Sequence, residues 1–269
     1  MKVIIPLYNR ILEVVSFYSK QLKFDKYRNK LGRKLALKID TVIALAIFKQ
    51  RNGKETKKSL HETFELQTTC SYKTLVVSLN RWAKLAITIL FLIMKQNRKN
   101  AHQVKHIDST DIPVCLFKNA NSHKVMEHFA SFMRSGKGTY FGLKLHLISD
   151  LRRKILSIRF TSANVNDREL VIPMSKDLEG IFVADAGYIS EKLQKEFYQE
   201  HKRILFIQPR KNMKKIMTAW QENIHKTRML IELNFRSLKM FYGLVTSLPR
   251  SVDGYIANYI YSLLAYQIV

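Results

Sequence analysis

The stretch "VADAGYIS", residues 183–190, decides the reading of this chain. A short apolar run delivers Asp185 to its tip, and Gly187 then lets the backbone turn sharply toward a helical segment. In open α/β sheets, sites form beyond the carboxyl ends of strands, where loops leave the core. The alternative is an aspartate that merely begins a turn.

Working outward from it, residues 101–269 alternate between strand and helix periodicity. Strand-like runs fall at 104–108, 113–117, 140–149 and 154–161. The last two, "YFGLKLHLIS" and "KILSIRFT", alternate with period two across the basic turn "DLRRK" and predict a hairpin. Between the first pair and the hairpin, residues 118–139 read as a long, irregular basic loop. A helix over 166–176 follows, with Asn164 and Asn166 as candidate caps. Then come a strand at 180–184, a helix at 190–201, a strand at 203–208, a helix over about 214–242 and a final helix at 252–268. This order, strands first and then helices and strands in alternation, predicts an α/β fold, a mixed sheet flanked by helices.

Residues 1–100 differ in texture. Apolar positions recur at helical spacing in 36–48 and 74–94, with a polar, basic break at 49–59. "SLHE" (59–62) has the form of a capping box. A helix, a turn near "QTTC" and a second helix from Ser71 outline a helix-turn-helix, with Tyr72, Lys73, Asn80 and Arg81 as candidate DNA contacts. An ordinary helical bundle fits the same pattern. This all-helical, basic region is expected to precede the sheet domain as a DNA-binding part.

Composition narrows the partners. The chain has 46 Lys+Arg against 21 Asp+Glu, a formal net charge of +25, which implies attraction to polyanions. Nucleic acid leads. A membrane is not expected, because the apolar runs 85–94 and 255–269 fall short of the ~20 residues that span a bilayer. The N-terminal stretch lacks the pattern of a cleaved signal, and the two cysteines, Cys70 and Cys115, make neither a disulfide framework nor a zinc site. These features lead to a cytoplasmic expectation.

Three acids then stand out. "HIDSTDIPVC" places Asp108 and Asp111 on one strand, three positions apart and so on opposite faces. Asp185 sits at a strand tip. The third is Glu232, in "QENIHKTRMLIELNFRSLKMF" (221–241). Taken as one continuous helix, this segment is apolar around most of its circumference. Its single narrow polar stripe holds His225, Arg228, Arg236 and Lys239 within about 40° of Glu232. One acid bracketed by basic groups can bind a cation while its neighbours bind phosphate; a narrow solvated stripe is the plainer reading. Phosphodiester cleavage calls for such a set, since two divalent ions about 4 Å apart can activate a nucleophile and stabilise a leaving oxyanion. Hard ions such as Mg2+ take carboxylate oxygens.

With those residues in place, the chain resembles the DDE transposases of bacterial insertion sequences, whose catalytic domain is ribonuclease-H-like. Asp108, Asp185 and Glu232 follow the family order, 77 (185 − 108) and 47 (232 − 185) residues apart. His225, Arg228, Glu232 and Lys239 match the family spacing Tyr-x-x-Arg-x-x-x-Glu-x-x-x-x-x-x-Lys, with His in place of Tyr. "DAGY" resembles the family's Asp-x-Gly-Tyr, with Ala186 where many relatives carry Lys, and "TSANVNDREL" (161–170) resembles its segment before the second Asp.

The resemblance implies a ribonuclease-H-like catalytic domain in which Asp108, Asp185 and Glu232 hold two Mg2+ ions, with Mn2+ as a substitute. His225, Arg228, Arg236 and Lys239 would then hold phosphates. It also implies double-stranded DNA as partner, both terminal inverted repeats and target, a homo-oligomer on that DNA, and a bacterial, nucleoid-associated protein. Two alternatives stand beside it: a metal-dependent nuclease of the same fold, and a non-catalytic DNA-binding protein derived from a decayed transposase.

Overall fold

The computed structural model describes residues 4–27, 34–54, 56–65, 68, 70–136, 138–201, 203–209 and 217–268. They fall into two compact units. One comprises 1–93 with 237–269, the other 94–236.

The first unit is helical among its described residues: α1 (Ile4–Gln21), α2 (Ile39–Arg51), α3 (Lys57–Thr63), most of α4 (Tyr72–Lys99) and α9 (Val252–Gln267). α2 is apolar around nearly its whole circumference and is buried from Val42 to Phe48. On one side it meets α1, where Tyr8, Phe48 and Phe64 form an aromatic cluster and Ser19 Oγ donates to Asp40 Oδ1 at 2.7 Å. On the other it meets α9, where Gln50 Nε2 donates to Asn258 Oδ1 at 2.8 Å.

α4 is long and apolar enough to cross a membrane by length and composition alone. Leu75, Leu79, Trp82, Ala86, Ile89, Leu90 and Ile93 are buried at helical spacing, while Lys73, Arg81 and Lys84 are exposed, the pattern of an amphipathic helix against a protein core. α3 and α4 keep the outline of a helical hairpin. The cap of α3, however, is Thr56, whose side chain accepts from Ser59 N; Ser59 lies inside the helix, so "SLHE" is not the capping box. Residues 66, 67 and 69 of the expected turn lie outside the described residues.

The second unit is α/β, with a six-stranded mixed sheet. Its strands are β1 (Val104–Pro113), β2 (Ser131–Ser135), β3 (Gly138–Asp150), β4 (Ile155–Ser162), β5 (Ile181–Ala184) and β6 (Ile204–Ile207). β2 and β4 pair in succession along one edge of β3, β1 pairs antiparallel with its other edge, and β5 and β6 continue in parallel. The β3–β4 hairpin is the one the alternation predicts, and Arg153 adopts φ 65° in its turn.

Three expectations are corrected here. β1 does not stop at 108. Each residue of the polar run Asp108–Asp111 is paired with β3, so ladder hydrogen bonding carries the strand through what composition reads as a break. Residues 114–117 are not a strand, and the segment read as irregular contains β2.

The helix expected at 166–176 is a 3-10 turn, Asp167–Leu170, capped by Asn166 and followed by the short α5 (Val171–Ser175). α5 and α6 (Glu191–His201) cover the face of the sheet bearing Ile107, Ile148 and Phe182. The opposite face receives α7 (Ala219–Lys226) and the start of α8 (Met229–Met240), where Arg153 Nε donates to Asn234 Oδ1 at 2.8 Å.

Candidate active site

The unbroken β1–β3 register sorts the acids by face. Cross-strand partners share a face and successive residues alternate. Asp111 lies opposite Lys144 and Ser109 opposite His146, so these four share one face. Asp108, opposite Leu147, and His106, opposite Ser149, share the other.

β5 runs parallel to β1, with His106 opposite Val183. Two residues further along each chain stand Asp108 and Asp185, both just past the last paired positions of that ladder. Asp185 opens a 3-10 turn, Ala186–Tyr188, through its backbone, its carbonyl accepting from Tyr188 N at 3.0 Å. Its carboxylate makes no capping hydrogen bond.

The third acid arrives on a helix that is not continuous. Over 221–241 the sequence reads as one helix; the structure breaks it between α7 and α8 at Thr227 and Arg228. Thr227 Oγ1 donates to Ile224 O at 2.6 Å, and the amides of Thr227, Arg228, Leu230 and Ile231 bond three residues back instead of four. His106 Nε2 meets Thr227 Oγ1 at 2.8 Å, which ties the break to β1. His225 therefore ends one helix while Glu232 begins the next, and the common stripe is interrupted between them. The expected start of this helix near 214 lies outside the described residues.

Arg228, at the break, joins two of the acids. Its Nη1 donates to Asp108 Oδ2 at 3.3 Å, and its Nη2 pairs with Glu232 Oε1 one helical turn on. Burial pushes the Asp108 carboxyl up to about 7; hydrogen bonding from Ser109 N and the Arg228 charge oppose the rise, and Asp185 and Asp167 add to it. His225 is held below its ordinary value by burial and then by Arg228, with Asp185 acting against them.

Asp108, Asp185, Glu232, Arg228 and His225 are thus linked by contact or by charge. Arg236 and Lys239 follow Glu232 along α8, Arg236 exposed and Lys239 half-buried. Tyr72, Lys73 and Arg81 belong to the helical unit; Tyr72 rests edge-on against His61, and Arg81 lies 4.8 Å over the Trp82 ring.

The structure adds residues that the sequence reading did not single out. Asp167 Oδ1 accepts from Lys144 Nζ at 2.9 Å, Asp167 Oδ2 accepts from Ser109 Oγ at 2.8 Å, and His146 Nδ1 lies 3.8 Å from Asp167. Tyr188, buried beside Ser109, has its hydroxyl pKa raised by burial first and by Asp108 next. A signal for this network was present in "YFGLKLHLIS": Lys144 and His146 share one face of an otherwise apolar strand, and a lysine there requires an acid.

As a donor set, Asp108, Asp185 and Glu232 suit a hard divalent ion, being all oxygen. An Asp108 carboxyl pushed up to about 7 is one that added positive charge would return to its ionised form. In the geometry described, the countercharge to Asp108 and Glu232 is the Arg228 guanidinium. Among the described residues, no three His, Cys, Asp or Glu side chains are gathered closely enough to hold a metal. The residues fit such an ion in kind, and Arg228 must release the two carboxylates before they can share one.

A mixed sheet with acids at neighbouring strand positions and a third on a basic helix is an arrangement compatible with the nucleic-acid-processing enzymes, the class to which the family match below points. Residues 98–251, more than half of the chain, match the transposase DDE domain, and the chain belongs to that family. No curated protein and no solved structure matches it.

Proposed function

We propose that this chain is an insertion-sequence transposase with a ribonuclease-H-like catalytic domain. It would cleave one DNA strand at each terminal inverted repeat and join the freed 3′-hydroxyl to target DNA. The observation that carries the reading is the convergence of Asp108 and Glu232 on Arg228, with Asp185, at the tip of β5, beside Asp108 on β1.

Asp108, Asp185 and Glu232 would hold Mg2+, which when bound supplies activation of the nucleophile and stabilisation of the leaving oxyanion. Arg228, released from the acids, would hold a phosphate near the scissile bond, with His225, Arg236 and Lys239 as further phosphate contacts. In the cleavage step, water attacks phosphorus and the bond to the 3′-oxygen breaks, leaving a 3′-hydroxyl and a 5′-phosphate. The helical unit would recognise the terminal repeats, through Tyr72, Lys73 and Arg81, and the protein would work as a homo-oligomer on DNA in the bacterial cytoplasm, at the nucleoid.

A cleavage assay on intact ends carrying the DNA that flanks the reading frame, paired with a strand-transfer assay on the same ends pre-cleaved, tests this. Joined products support the transposase. Cleavage without joining makes the protein a nuclease, and neither activity makes it a non-catalytic DNA-binding protein.

A further inference from the structure

The helical unit contains a cavity of about 350 Å3, lined by residues of α2, α3, α4 and α9 and by the segment 246–251. Two lysines open into it. Lys49 Nζ donates to Gln50 Oε1 at 3.1 Å and Lys57 Nζ to Asn80 Oδ1 at 2.6 Å, both neutral acceptors. Among the described residues the lining contains no Asp or Glu, and Arg250 adds a third cation. Ser251, the N-cap of the 16-residue α9, and Gly254 in its first turn also line it, so the positive end of a helix dipole faces the same space.

Half-buried ammonium groups in one cavity whose described lining holds no acid are costly. The strain shows in both: burial, then the Lys57 charge, brings Lys49 down to about 8, and burial lowers Lys57 as well. An anion between them relieves both effects. Two ammonium groups match a terminal phosphate monoester, which carries about −1.5 to −2 charges near pH 7, better than a singly charged diester. The remaining wall is apolar and aromatic, with Tyr72, Val76, Leu79, Leu248 and Pro249. Its volume lies in the range that accepts a whole small organic ligand as well as its anionic group.

We propose that this cavity binds the 5′-phosphorylated terminal nucleotide of a DNA strand, with the phosphate between Lys49 and Lys57 and the base against the apolar wall. The shared chemistry is a nucleoside monophosphate, whether strand end or free nucleotide. The choice of a DNA end rests on the transposase reading, because cleavage as proposed above leaves a 5′-phosphate. The affinity of the cavity for a phosphate monoester does not rest on it.

The test compares short single strands bearing a 3′ fluorophore and either a 5′-phosphate or a 5′-hydroxyl, by fluorescence anisotropy on the full chain. The wild type should prefer the phosphorylated strand about tenfold, the scale of one charge-assisted hydrogen bond. The double variant Lys49→Gln, Lys57→Gln should lose that preference. A second measurement needs no variant: pyridoxal phosphate with borohydride should modify Lys49 and Lys57, and the phosphorylated strand, but not the hydroxyl strand, should protect them.

Equal binding of both strands by the wild type overturns the proposal, as does protection by anionic lipid vesicles but not by the strand. Protection by free dAMP at the concentration where the strand protects overturns the strand-end assignment. Neither readout involves cleavage. A wild type that nicks but shows no phosphate preference therefore refutes the cavity alone, and a wild type that shows the preference but does not nick refutes the cleavage reading alone.

Discussion

Replacing Asp167 by Ala should leave a lysine charge stranded in the sheet unit. The Lys144 side chain is 9% exposed, and its ammonium has two oxygen partners, Asp167 Oδ1 and Val165 O, both at 2.9 Å. Breaking a buried ion pair from one side costs about 3–5 kcal/mol. Asp167 is 29% exposed, so solvent screens part of this, and about 2–4 kcal/mol is the expected loss. Part of it is the Ser109 hydroxyl losing its acceptor, at about 1 kcal/mol.

Asp167→Asn keeps an acceptor and loses only the charge, so it should fall between Ala and wild type. Lys144→Met with Asp167→Ala removes both charges and should be less destabilised than the sum of the single variants by about 1–2 kcal/mol. Urea unfolding of the wild type, Asp167→Ala, Asp167→Asn, Lys144→Met and the double variant reads these differences directly. Additivity within about 0.5 kcal/mol would mean that the pair carries no coupling, and the account of Lys144 as a charge requiring Asp167 would fail.

Acid should weaken the same unit. His106 is fully buried and its pKa is pulled from 6.5 down to about 4, chiefly by burial, so below pH 6.5 the unfolded chain takes up a proton that the folded one refuses. That stability is present above pH 6.5 and is lost as pH falls toward 4, by about 2 kcal/mol at pH 5 at about 1.36 kcal/mol per unit. His106→Gln should flatten the pH dependence of the urea midpoint, and parallel curves would contradict the assignment. Gly142→Ala would place a Cβ 2.1 Å from Ile112 O and force β1 from β3, so a loss of about 1–3 kcal/mol or more is expected in the same assay; an unchanged midpoint would contradict that register. Binding to duplex DNA should weaken steeply with salt, each phosphate contact adding about −0.9 to the slope of log K against log salt, and a slope near zero would show that the +25 charge serves another partner.

Much of this architecture was legible because strand alternation and helix periodicity are local. The β3–β4 hairpin, the strand that ends at Asp185 and the helix carrying Glu232 could each be read from a dozen residues. What remained hidden depends on partners distant in sequence. The polar run Asp108–Asp111 continues as strand because β3 pairs with it. The α7–α8 break depends on Thr227 meeting His106, 121 positions away. Nothing near Gln50 signals that its amide meets Asn258 on the last helix, 208 positions on. Asp167 was read past for a related reason: its neighbour Asn166 explains the start of the turn, while the role of Asp167 depends on Lys144 and Ser109, on two other strands.

The central claim, that Glu232 acts with Asp108 and Asp185 in metal-dependent strand cleavage, is tested most directly by Glu232→Gln. The exchange is nearly isosteric on the exposed side of the first turn of α8, so the helix should stand, and an amide oxygen is a poor substitute for a carboxylate toward Mg2+. The measurement is Mg2+-dependent nicking of a duplex carrying the DNA that flanks the reading frame, with binding of the same duplex followed in parallel. The account predicts that nicking is abolished while binding is unchanged or slightly tighter. Nicking by Glu232→Gln at the wild-type rate would contradict it.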